Sequence, residues 1–206
     1  MKNTVIAVSG VLAASGALAQ TIGFDTDPPG TLAPGWEQGV TGKGNACWTV
    51  RQDPSAPSSP NVLHQSGTGT FPWCVLRNSS LENGFVEVKF KPLEGREDQA
   101  GGVLWRWKDG NNYYMARANA LENNVSLYYT ANGRRNTLKY VDAPVPRNVW
   151  HTLRVEFDGP QIRVALDGKT YIEVKDTHIA GAGAVGLWTK ADSVTSFDDF
   201  GYGSLK

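Results

Sequence analysis

The sequence predicts an all-β protein built as a two-sheet antiparallel sandwich, and three observations lead to this fold class. Apolar residues recur with a period of two from Phe85 onward, tight-turn dipeptides separate the apolar runs, and no segment after the N-terminus shows a sustained helical period. Seven Trp, seven Tyr and seven Phe supply the large side chains that fill the space between two sheets.

Residues 86–90 and 153–157 show the alternation most clearly, with apolar side chains at every second position and polar or charged ones between them. Such segments are typical of strands with one buried face. Residues 162–166 and 172–174 repeat the pattern on either side of the Asp167-Gly168 turn, which predicts a β-hairpin. Short strands are also predicted around the turns at Asp109-Gly110 and Asn132-Gly133, over residues 103–107, 113–118, 125–130 and 138–141.

Residues 25–60 are rich in Pro, Gly and Ser, and we expect mostly loop here, with one or two edge strands around Trp36 and Trp48. No internal repeat or linker divides the rest of the sequence. We therefore predict a single domain over residues 20–206, a length that supports a sizeable core.

The N-terminus has the features of a secretory signal peptide. Lys2 is followed by an uncharged stretch from Thr4 to Ala19 that ends in the small-x-small pattern Ala17-Leu18-Ala19. This stretch is shorter than a membrane span of about 20 apolar residues. We predict a signal peptide over residues 1–19, export to the periplasm or the extracellular space, and no membrane insertion.

The net charge argues against nucleic acid as a partner. Without residues 1–19 the chain carries 19 basic and 20 acidic residues, so no excess of positive charge attracts a phosphate backbone. The sequence does not specify an oligomeric state.

Cys47 and Cys74 are the two cysteines, and export would place them where disulfides persist. We predict a disulfide between them that closes a loop of 26 intervening residues and stabilises the fold by about 3 kcal/mol. Two buried free thiols are the alternative. A zinc site is disfavoured because His64 alone lies near them in the sequence.

Six short stretches form an ordered set along the chain: Phe24-Asp25, Gly101–Arg106, Asn112–Tyr114, Arg117–Glu122, Gly186–Asp192 and Phe197–Phe200. Together they resemble an exported bacterial family of the concanavalin A-like lectin/glucanase superfamily, near the laminin-G-like domains and the 3-keto-disaccharide hydrolases. The resemblance implies a jelly roll with a concave sheet face on which carbohydrate usually sits. It does not fix the activity, because one fold hosts binders, hydrolases and lyases.

Three functional hypotheses follow from this resemblance. The first is an exported carbohydrate-associated protein that binds a saccharide on the concave face without cleaving it. The second is a glycoside-cleaving enzyme of the 3-keto-disaccharide hydrolase type. The third is a laminin-G-like protein-interaction domain. None of the three requires a cofactor.

Retaining glucanases of this fold carry Glu-x-Asp-x-Glu on one strand, which places the acid and the nucleophile about 5 Å apart. The sequence lacks this motif. Its nearest approach is Arg154, Glu156 and Asp158, which we interpret as a solvated charged face, with a catalytic pair as the alternative. Retaining-glucanase chemistry is therefore disfavoured, and no catalytic residue is assigned.

Residues 105–122 hold the main candidates for a saccharide site. Sugars are bound by planar hydrogen-bonding groups and by aromatic rings against their C–H faces. Tyr113, Arg117 and Asn119 share one face of a strand. The predicted saccharide-binding residues are Trp105, Arg106, Tyr113, Arg117, Asn119, Glu122 and Trp188, with His64 and Gln65 at the rim.

The alternative is that the aromatic rings belong to the core and the Arg residues pair with nearby acids. Arg106 is expected either to face the groove or to pair with Asp109 or Glu122, because an unpaired buried charge is costly. For the enzyme hypothesis, elimination beside a keto group needs a base and an oxyanion stabiliser. Arg106 or Arg117 are candidates for the stabiliser, and His64, Glu122 or a Tyr for the base.

Asp25 and Asp199 are the predicted ligands of a structural Ca²⁺. The terminal strands that carry them would lie close together, and carboxylates suit this ion. The alternative is that both carboxylates accept hydrogen bonds from neighbouring loops.

Overall fold

A computed structural model describes residues 19–205 and confirms the predicted all-β architecture. The strands are β1 Gln20–Ile22, β2 Trp36–Asn45, β3 Trp48–Gln52, β4 Asn61–Gln65, β5 Thr68–Leu76, β6 Gly84–Glu94, β7 Ala100–Asp109, β8 Asn112–Asn119, β9 Asn124–Ala131, β10 Arg134–Asp142, β11 His151–Asp158, β12 Gln161–Leu166, β13 Lys169–Lys175, β14 Ala184–Trp188 and β15 Val194–Gly203.

The strands form two antiparallel sheets that pack face to face. The eight-stranded sheet has the order β13-β12-β11-β6-β15-β4-β3, with β1 paired to β15. The seven-stranded sheet has the order β10-β9-β8-β7-β14-β5-β2. Strands β2 and β3 lie at the edges of the two sheets, as predicted for the segments around Trp36 and Trp48.

Strands β4 and β5 lack a clear period of two in the sequence and are not predicted by it. In β5, Phe71 to Leu76 is an uninterrupted apolar run because both faces of this part of the strand are covered. A short run of this kind does not distinguish a buried strand from other buried structure.

The main core lies between the sheets and is rich in aromatic side chains. The ring of Trp105 stacks between Tyr114 and Phe157, with centroid separations of 5.4 and 5.6 Å. Trp48 packs against Phe197 at 5.3 Å. These contacts fill the inner faces of both sheets, as the aromatic content predicts.

The structure contradicts the predicted disulfide, since both cysteines are free. Cys74 points into the core from the middle of β5 and is completely buried. Cys47 is exposed and directly precedes Trp48, whose side chain is buried. The two sulfhydryl groups therefore occupy opposite environments.

The predicted signal peptide lies outside the described residues except for Ala19. It stays a prediction, as does the exported location. In residues 19–205, no helix is long and apolar enough to cross a membrane.

Candidate functional site

The outer face of the seven-stranded sheet, which points away from the other sheet, carries a second apolar cluster. Its buried members are Trp73, Val75, Leu104, Tyr113, Met115, Tyr128 and Trp188. Phe71 and Trp107 pack against the cluster and are half-buried. Tyr113 lies on this face and Tyr114 in the main core, so the period of two predicts the sides of β8 correctly.

The turn between β7 and β8 covers one part of this face. Thr41 on β2 donates its hydroxyl hydrogen to the carbonyl of Gly110 in the turn, so the Tyr113 hydroxyl, 2.8 Å away, donates to Thr41. Gly110 packs on Trp73, where an added Cβ would lie 3.0 Å from the ring. Burial raises the pKa of Tyr113. The Tyr113 hydroxyl is therefore engaged in holding the turn against the sheet.

A network of charged side chains lies at the other end of this face. Arg117 Nη1 donates to both carboxylate oxygens of Asp98, at 2.9 and 2.7 Å, and Nη2 donates to Glu122 at 2.7 Å. Lys190 also donates to Asp98 at 2.7 Å. Asp98 is completely buried. Burial opposes the charge of Arg117, but the Asp98 carboxylate outweighs it and raises the pKa of Arg117.

The loop that carries Asp98 is anchored by Asp192. The Asp192 carboxylate accepts hydrogen bonds from the backbone N–H groups of residues 96, 97 and 98, at 2.7 to 3.1 Å. Burial acts to raise the pKa of Asp192, but these donors outweigh it and lower the pKa. The pKa of Glu122 is also lowered, because the Asn124 amide and the Arg117 charge outweigh the effect of burial.

Arg135 packs against aromatic rings on this face. Its guanidinium carbon is 4.4 Å from the centroid of Tyr128, 4.7 Å from Phe71 and 6.0 Å from Trp188. Phe71 in turn stacks on Trp188 with a centroid separation of 5.6 Å. Burial lowers the pKa of Arg135, and the positive charge of Arg117 lowers it further.

An open pocket of about 410 Å³ lies beside these rings. We call it the Phe71 pocket; the side chains that define it are Lys43, Thr70, Phe71, Glu97, Arg135 and Lys190. Its size is within the range of about 300–1,000 Å³ that is usual for ligand pockets. It combines a half-buried aromatic ring with cationic and anionic groups, which are the elements that recognise a polar ring compound.

Five of the predicted saccharide-binding residues lie on or beside the outer face of the seven-stranded sheet: Tyr113, Arg117, Asn119, Glu122 and Trp188. Most of them have structural partners. Asn119 accepts a hydrogen bond from the backbone N–H of Leu121 at 2.9 Å, and Trp188 is completely buried beneath Phe71 and Arg135. These residues therefore form the buried support of the outer face and its charged network, and the open pocket lies beside them.

Trp105 and Arg106 do not lie on this face. Trp105 belongs to the main core. Arg106 has a φ of 47°, at a bulge where the register between β7 and β8 shifts. This left-handed backbone breaks the alternation of the strand and turns the side chain aside.

The partners of Arg106 are three backbone carbonyl groups and the side-chain oxygen of Asn83 rather than the predicted Asp109 or Glu122. Its guanidinium donates to the carbonyl oxygens of Glu82 at 3.1 Å, Ile179 at 3.1 Å and Gly159 at 2.8 Å. Arg106 thus ties three loops together, and its predicted role in the groove is corrected to a structural one.

His64 and Gln65 are also placed away from the predicted rim. His64 points to the outer face of the eight-stranded sheet, where Arg51 donates to its Nε2 at 3.0 Å and its Nδ1 lies 3.1 Å from the Ser196 hydroxyl. Burial and the charge of Arg51 lower the pKa of His64 to about 4. Gln65 is buried, and its amide donates to the carbonyl of Ser193 at 2.9 Å.

The predicted calcium ligands have protein partners. Asp25 accepts a hydrogen bond from the backbone N–H of Asn61 at 3.0 Å, and Asp199 forms a 2.7 Å ion pair with Lys89. Within residues 19–205, no group of three or more His, Cys, Asp and Glu side chains is placed to hold a metal ion. A Ca²⁺ ion bound through Asp25 and Asp199 stays a prediction.

Arg154, Glu156 and Asp158 lie on the outer face of the eight-stranded sheet. Arg154 pairs with Glu156 at 2.9 Å and with Glu87 at 3.4 Å, and Asp158 is exposed. This arrangement agrees with the interpretation of these residues as a solvated charged face.

Residues 24–200 match the family model of the 3-keto-alpha-glucoside-1,2-lyase-like domain. The chain belongs to this family. No curated protein matches its sequence.

Solved structures resemble this member of the family in fold at low sequence identity. The carbohydrate-binding module CBM66 from Bacillus subtilis is 20% identical, with 82% of this chain and 96% of that chain covered and a TM-score of 0.68. The Bacillus licheniformis beta-glucanase is 16% identical, with coverages of 94% and 100% and a TM-score of 0.53.

A beta-1,3-1,4-glucanase from a mouse hindgut metagenome is 15% identical, with 90% of this chain and 98% of that chain covered and a TM-score of 0.57. These similarities confirm the predicted concanavalin A-like jelly-roll fold.

All six side chains that define the Phe71 pocket in this family member, and Asp98 beside it, are absent from the predicted set. The sequence contains a signal for Arg135, because a two-residue turn at Asn132-Gly133 pairs Arg135 with Thr130 and so places both on the side of Tyr128. Asp98 lies in the loop after β6, where no periodicity indicates the direction of a side chain.

Proposed function

We propose that the protein binds a saccharide in the Phe71 pocket. The observation that carries this proposal is the half-buried ring of Phe71, which lines an open pocket beside the guanidinium of Arg135. An aromatic ring packs against the C–H face of a sugar, and charged groups around it bond to the hydroxyls. The fold shared with a carbohydrate-binding module and with beta-glucanases supports this proposal.

The pocket has the rigidity that such recognition needs. Phe71 stacks on the buried Trp188, and the loop that carries Glu97 is fixed by the Asp192 carboxylate. Groups that are held before the ligand arrives lose little conformational freedom on binding.

Calorimetry against a panel of soluble polysaccharides and oligosaccharides tests this proposal. We expect binding to at least one glycan, and we expect Phe71→Ala to weaken it about 10-fold, which corresponds to about 1.4 kcal/mol. Tyr171→Ala is the matched control, because Tyr171 is a half-buried aromatic residue on β13 of the other sheet. Equal losses in both variants, or no glycan bound by the folded protein, would contradict the proposal.

Membership of the 3-keto-alpha-glucoside-1,2-lyase-like family favours elimination as a second candidate function. A carbonyl at C3 acidifies the C2–H bond, so a base removes the C2 proton and the negative charge moves to the C3 oxygen. The C1–O bond then breaks, a C1=C2 double bond forms, and the departing oxygen takes up a proton to leave as an alcohol. This step requires no oxidant or added co-reactant.

The Phe71 pocket contains side chains suited to this chemistry. Arg135 and Lys190 supply positive charge for the developing enolate oxygen, and the exposed carboxylate of Glu97 supplies a base at the same pocket. Two earlier candidates are disfavoured by their positions: Arg106 bonds to loop carbonyls, and His64 lies on the other sheet.

A 3-keto-α-glucoside deuterated at C2 tests the elimination. We expect release of the aglycone together with loss of the deuterium to solvent, and at least a 100-fold slower release by Glu97→Gln. Glu94→Gln is the control, since Glu94 is an exposed carboxylate at the end of β6 that does not line the pocket. Release with the deuterium retained, or no release above a blank, would rule out this elimination.

A further inference from the structure

We propose that the Phe71 pocket selects saccharides that carry a carboxylate, with Arg135 as the group that recognises it. This inference rests on the proposed saccharide binding and names the substrate class. It rests on the contrast between two arginines on the same face: Arg117, whose guanidinium is paired with acids, and Arg135, whose Nη1 has no hydrogen-bond partner among residues 19–205.

The guanidinium of Arg117 has protein partners for its hydrogen bonds. Its guanidinium nitrogens bond to Asp98, Glu122 and the Ser126 hydroxyl. All of these contacts are formed within the protein, and its side chain is only 3% exposed. Arg117 therefore has no free edge to offer a ligand.

Arg135 is held by aromatic rings instead. Phe71 and Tyr128 contact its guanidinium, and within residues 19–205 its Nη1 atom is buried with no hydrogen-bond partner. A buried donor without an acceptor destabilises the folded protein. Nη1 itself is enclosed and out of a ligand's reach, but Arg135 also lines the Phe71 pocket, so the rest of its guanidinium is the part that can bond to a ligand acceptor.

The charges around the pocket point to an anionic acceptor. Three of the charged residues that line the pocket are cationic, namely Lys43, Arg135 and Lys190, and one is anionic, namely Glu97. Lys190 is partly neutralised by Asp98, whereas Arg135 lies close enough to Arg117 for that charge to lower its pKa. The pocket therefore presents more positive than negative charge to a ligand.

The planar guanidinium suits a carboxylate in particular. Two parallel N–H···O bonds form when the planes of the two groups align, and Phe71 and Tyr128 pack within 4.7 and 4.4 Å of the guanidinium carbon of Arg135, which limits its movement. A uronic acid presents such a carboxylate next to a sugar ring, and Phe71 offers an aromatic surface for that ring.

Matched pairs of glycans test the inference on the full chain. Polygalacturonate, a glucuronan and alginate are each compared by calorimetry with the corresponding carboxyl-reduced, neutral polysaccharide. We expect at least one acidic glycan to bind 10-fold or more tightly than its neutral counterpart, and this preference to decrease as salt increases. Arg135→Gln should abolish the preference, whereas Arg134→Gln, an exposed neighbour on β10, should retain it.

The outcomes distinguish failure of the carboxylate preference from failure of saccharide binding. Equal binding of an acidic glycan and its neutral form, or binding of neutral glycans alone, overturns the carboxylate preference and leaves saccharide binding intact. A preference that survives in Arg135→Gln also overturns it. Binding of no acidic or neutral glycan, here and in the wider panel, overturns both proposals.

Discussion

Arg117 and Asp98 form an ion pair in which both side chains are buried, with Arg117 Nη1 2.7 Å from Asp98 Oδ2. Lys190 shares the same carboxylate oxygen. Asp98 thus neutralises two cations beneath the candidate site, and removal of its charge would leave both without their main partner.

We therefore expect Asp98→Asn to lower the free energy of unfolding by about 3 kcal/mol, because breaking a buried pair strands an uncompensated charge. Urea denaturation measures the change. Glu122→Gln is the control and should cost less than about 1 kcal/mol, because Glu122 is partly exposed to solvent. Equal effects of the two substitutions would show that burial of the pair is unimportant.

Arg106→Lys should destabilise the protein by about 2 kcal/mol without changing saccharide affinity. A lysine ammonium cannot replace the fixed fork that reaches the carbonyls of Glu82, Ile179 and Gly159. Arg134→Lys, on the exposed side of β10, should leave the stability unchanged. Loss of saccharide binding by a folded Arg106→Lys protein would argue against the structural role.

The free cysteines predict a simple pattern of thiol reactivity. In the native protein, a thiol reagent should modify the exposed Cys47 quickly and the buried Cys74 only after unfolding, since burial raises the pKa of Cys74 well above its usual value. The melting temperature should be the same with and without a reducing agent. Detection of fewer than two thiols in the unfolded, unreduced chain would instead support a disulfide.

The buried neutral His64 predicts a loss of stability in mild acid. Its pKa is about 4 in the folded protein and about 6.5 when unfolded, so between these values the unfolded chain binds the additional proton. The free energy of unfolding should thus decrease by about 3 kcal/mol as the pH falls from 6.5 to 4.

Denaturation series at several pH values check this prediction. His64→Gln should flatten the dependence between pH 4 and 6.5, whereas His178→Gln should retain it, because the side chain of His178 is about half exposed. The lowered pKa values of Glu122 and Asp192 act at the acid end of this window and below it, because the stability from their charges is lost as the pH falls from their ordinary pKa values of about 4 through the lowered folded ones. An unchanged slope in His64→Gln would assign the acid sensitivity to another group.

The sequence by itself determined the β architecture and the two sides of its most regular strands. Tyr113 and Tyr114 point to opposite faces of β8 because a strand alternates at every residue, and the turn dipeptides mark where the central strands end. The edge positions of β2 and β3 also agree with a segment rich in Pro, Gly and Ser.

Only the tertiary structure decided which side chains share the candidate site. Asp98 reaches Arg117 from a loop, Phe71 comes from a strand that is apolar on both faces, and the bulge at Arg106 breaks the alternation that the prediction assumes. A period of two in the sequence predicts only which side of a regular strand each side chain lies on. It contains no information on loop direction, on bulges or on which strands become neighbours, and these three features place the Phe71 pocket where it is.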